Sequence, residues 1–234
     1  MAEVAGVKAL QPAVLLDVPQ VGVGCGPQAG VLVWWEGPGN RFWFTEFQCD
    51  GDYFTMSGTS QATAIVSGIE SVDDVAAHLI AIDQDGEITE ADWQALDASD
   101  AIIFGSPTYM GMASWQFKKF ADATSKRWFN QDWKDKIAAG FTNSASMNGD
   151  KHSTLHYFMT LAMQHSMLWV GTGLMPSNTM AASRDDINFL GSFGGLMAQS
   201  PSDASTDEAP TTGDIETAKA FGVRVATVVR DLLR

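Results

Sequence analysis

The sequence predicts an α/β protein built on a doubly wound parallel sheet. Two patterns carry this expectation. From about residue 75 onward, strand and helix signals alternate. The strand segments are also continuous apolar runs rather than alternating ones, as in strands covered by helices on both faces.

In chain order, "GVLVWW" (Gly30 to Trp35) is one good strand inside an otherwise Gly/Pro-punctuated segment of about fifty residues. "MSGTSQATAIVSGIE" reads as a small-residue loop feeding a helix, and "VAAHLIAID" (Val75 to Asp83) as the strand after it. "TEADWQALDAS" (Thr89 to Ser99) is a short amphipathic helix. "DAIIFGSP" (Asp100 to Pro107) is a buried strand, and "SWQFKKFADATSKRW" (Ser114 to Trp128) is a helix with lysines opposite its aromatic face. "KIAAGFTNS", "STLHYFMTLAMQHS" and "MLWVGTGL" continue as strand, helix and strand. "SPSDASTDEAPTTGD" is a polar loop. The closing "DIETAKAFGVRVATVVRDLLR" is a helix with acid at its start and base at its end, matching the helix dipole. Residues 1–50 form an atypical N-terminal segment and residues 51–234 the α/β domain. In such sheets the loops after the strands gather on one edge, where ligands bind.

Composition narrows the function. The 234 residues carry 14 Lys+Arg against 28 Asp+Glu, a net charge of −14. That balance argues against non-specific binding to nucleic acid or to an anionic membrane, both of which select basic surfaces. Two cysteines, Cys25 and Cys49, are too few for a disulfide framework. No N-terminal basic region leads into a long apolar core, and the most apolar stretch, from Tyr157, is broken by Gln164, His165, Ser166 and two glycines. A soluble cytoplasmic protein is expected.

Three local patterns imitate other chemistries. Gly58-Thr59-Ser60-x-Ala62 resembles the serine segment of subtilisin-like proteases. There the histidine and aspartate precede the serine, and none of His78, His152, His156 and His165 does. "DQDGEITEADW" imitates a calcium loop, but aligning Gly86 leaves Ala81 at the first ligand position and Asp92 at the last. A turn capping the next helix is expected instead. His152 and His156 are spaced to share a helix face, yet nothing at metal-site spacing completes a ligand set. No metal and no catalytic acid–base residue is expected.

Two loops carry the informative chemistry. "GSPTYMGM" follows a buried strand and offers Pro107, the hydroxyl of Thr108, the flat ring of Tyr109, then Met110 and Gly111. "TNSASMNGDK" follows the next strand and offers Asn143, Ser144, Ala145, Ser146, Met147 and Asn148, amides and hydroxyls suited to a planar heterocycle. Adjacent loops of this kind at strand C-termini suggest a cofactor crevice.

With those residues in view, the chain from about Val72 onward resembles the flavodoxin-like FMN proteins, three-layer sandwiches. Among them it is most similar to NAD(P)H:quinone oxidoreductases of the tryptophan-repressor-binding-protein type. The resemblance implies that Thr108, Tyr109 and Met110 flank the isoalloxazine ring, that Asn143 to Asn148 form the second flavin loop, and that Trp128 lines the substrate side, often across a subunit interface. It implies FMN as cofactor, NADH or NADPH as co-substrate, a quinone-like acceptor and a homo-oligomer, dimer or tetramer. Hydride would pass to flavin N5 and two electrons onward to the acceptor. Two departures stand out: the second loop reads Ser-Met-Asn-Gly where the family has a glycine run, and Gln164 replaces the first histidine of the family's "HHGM".

Such proteins bind the FMN phosphate with a hydroxyl- and glycine-rich loop at a helix N-terminus. Ser57, Gly58, Thr59 and Ser60 fit that role, although "DYFTM" before them is a poor first strand. The rival is "VLVWWEGPGNRFW", a better strand followed by Gly37-Pro-Gly-Asn40, with Glu36 set against an anion. The functional expectation is an FMN-dependent NAD(P)H dehydrogenase (quinone). The alternatives are an electron carrier or FMN-binding module without turnover, and a folded remnant that no longer holds FMN.

Overall fold

The computed structural model describes residues 31–36, 58–73, 75–83, 85–205 and 208–232, with only the backbone path given for 31–36 and 58–60. The elements run β1 (Val31–Glu36), α1 (Gly58–Glu70), β2 (Ala76–Ala81), α2 (Glu90–Ala98), β3 (Ala101–Tyr109) and β4 (Met112–Ala113). They continue with α3 (Trp115–Ala123), α4 (Ser125–Asn130), β5 (Ile137–Ser144), α5 (Lys151–Gln164), β6 (Leu168–Trp169), β7 (Leu196–Gln199) and α6 (Thr212–Leu232).

The sheet order is β2-β1-β3-β5-β6, with β7 also on β5. β3 is parallel to β5, and β5 is parallel to both β6 and β7. Side chains on successive residues of β3 alternate between two cores, as a doubly wound sheet requires. Ala101 and Ile103 pack with Ile65, Ile69, Phe221 and Val225 under α1 and α6. Ile102 and Phe104 pack with Phe117, Phe120, Trp133 and Phe158 on the other face. Helices α1 and α6 touch through glycines. A Cβ on Gly68 would overlap the Lys219 carbonyl oxygen, and one on Gly222 would overlap that of Ile65. Any larger residue at either position would push the two helices apart. Among the described residues, no helix is long and apolar enough to cross a membrane.

Three departures from the sequence expectation have physical causes. First, two strands break the parallel arrangement: β4 forms a short antiparallel hairpin with β3, and β1 runs antiparallel to both β2 and β3 while occupying the slot between them. Its run of five consecutive apolar residues suits a central strand but carries no information on direction. Second, the expected helix over residues 114–128 breaks at Thr124, whose hydroxyl donates to the Ala121 carbonyl at 2.7 Å, and resumes as α4. Third, "MLWVGTGL" pairs with β5 only at Leu168 and Trp169. The chain turns away at Gly171 and Gly173, the latter at φ +63°, and Thr172 bonds the Phe193 carbonyl instead. The unforeseen β7 returns to fill the upper half of the same sheet position, Phe141 opposite Leu196.

The calcium-loop imitation is a capped turn. The Asp83 carboxylate accepts from the Asp85 and Glu87 backbones at 2.9 and 2.8 Å. Thr89 and Asp92 then form a reciprocal capping box on α2.

Candidate functional site

The C-terminal ends of β3, β5 and β7 lie side by side, Pro107 opposite Asn143 and Asn143 opposite Ala198, so their loops share one edge. The loop after β3 is a tight hairpin in which Tyr109 faces Met112. Its two central residues, Met110 and Gly111, have φ of +47° and +79°. A two-residue hairpin closed by a type I′ turn needs left-handed conformations at both positions, which glycine adopts freely and methionine only under constraint. Met110 is fully exposed at the tip. Pro107, Tyr109 and Gly111 are half-buried behind it. Among the described residues, a methyl group on the Gly111 Cα would meet nothing nearer than the Asp150 Cβ at 3.9 Å.

Thr108 does not face the crevice. Its buried hydroxyl lies 2.8 Å from those of both Thr142 and Thr154, joining β3, β5 and α5 beneath the loop. The hydroxyl foreseen as a ligand contact is therefore a structural tie. Ser106 works similarly, accepting from the Ser114 backbone at 3.0 Å while Ser114 caps α3.

In the second loop Asn143 and Ser144 are buried, Ala145 is intermediate, and Ser146, Met147 and Asn148 are exposed along the rim. Asn143 donates to the Ser200 hydroxyl at 2.9 Å, while its Oδ1 is buried without a partner among the described residues. Ser144 donates to the Ser146 carbonyl at 3.1 Å, and Gln199 Nε2 reaches the Ala145 carbonyl at 3.0 Å. Gly149, at φ +55°, lies so close to Ser144 Oγ that a side chain is excluded.

The sequence did not single out Lys151, which is wholly buried beneath this loop. Desolvation lowers its pKa to about 8, with Asp214 opposing the shift and Arg184 adding to it. One signal was available: a lysine in the first turn of a helix opposes the dipole, so it needs another reason to be there. Asp214, in the first turn of α6, is also buried, and desolvation raises its pKa against its bond from the Gln199 backbone and its pair with Arg184.

Of the proposed phosphate residues, Ser57 lies outside the described residues. Gly58, Thr59 and Ser60 form the opening turn of α1. A helix that feeds β2 from the opposite edge begins, about 20 Å earlier at 1.5 Å per residue, on the crevice side. The rival's Gly37 to Asn40 lie outside the described residues; antiparallel β1 before them ends at Glu36 beside Ala76, on the edge away from the crevice. One turn into α1, Gln61 is buried with neither amide atom partnered among the described residues.

Trp128 is not brought to the crevice of its own chain. It sits in α4, half exposed, at the opposite end of the sheet, where neighbouring Arg127 holds Asp97 at 2.7 Å and stacks over Trp93. The length of β3 separates the two ends by roughly 25 Å. Gln164 ends α5 at that same end. Beside it His165 is buried against Trp133, with ring centroids 4.6 Å apart, and Nε2 lies 2.8 Å from the Thr124 hydroxyl.

His152 and His156 are exposed with ring centroids 6.3 Å apart. With Met112, Ser153, Tyr157 and Thr160 they line a shallow groove of about 470 Å³ beside the hairpin. Among the described residues, no group of three or more His, Cys, Asp or Glu is arranged to hold a metal.

Comparison with known proteins agrees with this architecture. The model of the NADPH-dependent FMN reductase family matches residues 63–181. A flavodoxin FldP of Pseudomonas aeruginosa is 54% identical over 156 residues, covering 67% of this chain and 84% of that protein. An NAD(P)H dehydrogenase (quinone) of Syntrophobacter fumaroxidans is 30% identical over 202 residues, covering 78% and 97%. The crystal structure of a WrbA-like flavodoxin from Agrobacterium tumefaciens superposes with a TM-score of 0.56 at 47% identity, over 74% of this chain and 88% of that one. The fold is flavodoxin-like and of the WrbA type, and the chain belongs to the NADPH-dependent FMN reductase family.

Proposed function

We propose that the crevice between the β3–β4 hairpin and the loop after β5 binds FMN and passes two electrons from NAD(P)H to a quinone-like acceptor. As a member of its family the protein is an FMN-dependent oxidoreductase; the quinone step is the further claim. The quinone step is supported by relatives named NAD(P)H dehydrogenase (quinone). One observation carries the crevice: two polar, glycine-containing loops converge at the C-terminal edge of adjacent parallel strands, with Pro107 opposite Asn143. That is where an open α/β sheet holds a ligand.

The residues present fit the group. Backbone N–H groups of Gly58, Thr59 and Ser60 open α1, where the dipole favours phosphate. The buried amide of Gln61, unpartnered among the described residues, follows directly in the same turn. Tyr109, Met110 and Gly111 supply a flat wall with close backbone approach. Residues 144–148 supply hydroxyls and amides on the opposite side, and Asn143 holds that loop to Ser200. FMN held by these residues would supply the redox chemistry between NAD(P)H and the acceptor. The chain's task is to orient the ring and to exclude competing reactions. Trp128 belongs to this site only if a second copy delivers it, which favours a homo-oligomer whose substrate wall comes from a neighbour.

A second reading, an electron carrier without turnover, is favoured by the 54% identical relative named flavodoxin. Anaerobic reconstitution followed by steady-state NAD(P)H oxidation with benzoquinone separates the two. Sustained turnover supports the dehydrogenase. Reduction that needs a separate reductase supports the carrier, and failure to retain FMN after desalting overturns both.

A further inference from the structure

A buried ammonium without hydrogen bonds and a counter-charge is strongly disfavoured. Lys151 has both. Its Nζ donates to Ser144 Oγ at 2.8 Å and to the Ser146 carbonyl at 2.6 Å. Asp214 stabilises its charge from the first turn of α6. Asp214 itself accepts from Arg184 Nη2 at 2.7 Å and from the Gln199 backbone at 2.9 Å. The Gln199 side chain closes the circuit on the Ala145 carbonyl at 3.0 Å. Residues 144–146 are thus held at three successive positions by one network. That network reaches into the loop after β5, the end of β7, the start of α6 and the segment carrying Arg184.

Holding a loop does not require a charge. Neutral donors would do so without the desolvation cost, so a lysine here has a consequence beyond shape. With its pKa near 8, Lys151 is an ammonium at pH 7. It lies directly under the loop that faces the proposed cofactor, in a setting where water screens little. Uptake of two electrons with one proton adds a negative charge to a flavin ring. A fixed cation beside the ring favours that reduced form over the oxidised one.

We propose that Lys151 is a positioning residue that fixes the loop at 144–148 and supplies the positive charge that raises the reduction potential of the bound flavin. This rests on the FMN reading of the crevice. The charged groups acting on Lys151 are Asp214 from α6, which supports its protonation, and Arg184, which opposes it. The charge is therefore lost as pH rises through about 8.

The test uses the full chain loaded with FMN, with Lys151→Met to remove the charge at similar length. Affinity for oxidised FMN is read by fluorescence quenching. The two-electron midpoint potential is read by dye equilibration from pH 6.5 to 10. At pH 7 the variant is expected to bind reduced FMN about tenfold less well relative to oxidised FMN, a fall of about 30 mV. That gap should close above pH 9, where wild-type Lys151 is itself neutral. Lys151→Gln, which keeps a neutral donor for Ser144 and Ser146 but no charge, should lower the potential by a similar amount and serves if Lys151→Met does not fold. Equal potentials at pH 7, or a gap that persists unchanged at pH 10, would overturn the proposal. The first result means the charge is not felt, and the second means the effect is one of shape. A wild-type protein that binds no FMN would overturn it together with the flavin reading. Binding with unshifted potentials overturns it alone.

Discussion

The Thr108 hydroxyl lies 2.8 Å from that of Thr154, a residue forty-six positions later on α5, and the same distance from Thr142. Three buried hydroxyls that satisfy one another make the base of the hairpin part of the core rather than part of a flexible loop. This gives Met110 a rigid support for its left-handed conformation.

Replacing Thr154 with Val removes one member of that trio while keeping its shape. The remaining hydroxyls lose a partner in a site closed to water, so the protein should lose about 1–3 kcal/mol of stability. Chemical denaturation checks this. FMN affinity should fall with it, because the hairpin sits on the trio. A variant with unchanged stability and unchanged affinity would show that the trio does not support the loop.

At the other end of the sheet, burial and the Arg127 guanidinium hold His165 down to about pKa 4, below its ordinary 6.5. Between those values the unfolded chain binds the proton and the folded one does not. Stability is therefore complete above about pH 7 and declines as pH falls toward 4. The loss amounts to about 3 kcal/mol at roughly 1.4 kcal/mol per pKa unit. Urea titrations at pH 7.5 and 4.5 should show the drop in wild type and a smaller one in His165→Gln.

Ser60 tests the phosphate assignment. Ser60→Ala should weaken FMN binding by about 1–3 kcal/mol, the range for a hydrogen bond to a charged group. A fluorophosphonate should leave Ser60 unlabelled. Labelling there would revive a nucleophilic serine.

Trp128 gives a kinetic prediction whose geometry is unusual. Trp128→Ala should lower kcat/KM for benzoquinone about tenfold, a loss of about 1.4 kcal/mol, with FMN affinity unchanged. Because its own crevice is roughly 25 Å away, wild-type activity per chain should also fall on dilution below the dissociation constant of the oligomer. Activity independent of concentration, together with a thermally weakened mutant, would make Trp128 a packing residue at the end of α4.

How much of this was legible depends on the kind of signal. Continuous apolar runs such as "AIIF" and "IAAGF" announced β3 and β5 with their loops, because burial on both faces leaves a local imprint. Strand direction leaves none, so the reversed β1 was invisible. β7 was missed because "LMAQ" is too short for its pattern to register and owes its place to the turn at Gly171. Thr108 is legible in the sequence as polar and at the end of a buried strand, but which way its hydroxyl points is decided by Thr142 and Thr154, far away in sequence. Lys151 was passed over because its burial is a tertiary fact.

The division of the outermost sheet position between Leu168–Trp169 and Leu196–Gln199 has one more effect. An exposed strand border is a template on which another chain can add itself, and the danger grows with the length of uninterrupted main chain on offer. Here that border is delivered as one piece of two residues and one of four, with some twenty-six residues of looping chain between them. Among the described residues, no long run of free amides and carbonyls is presented on that side. The detour that hid β7 from the sequence thus also works as a guard against fibrillar stacking.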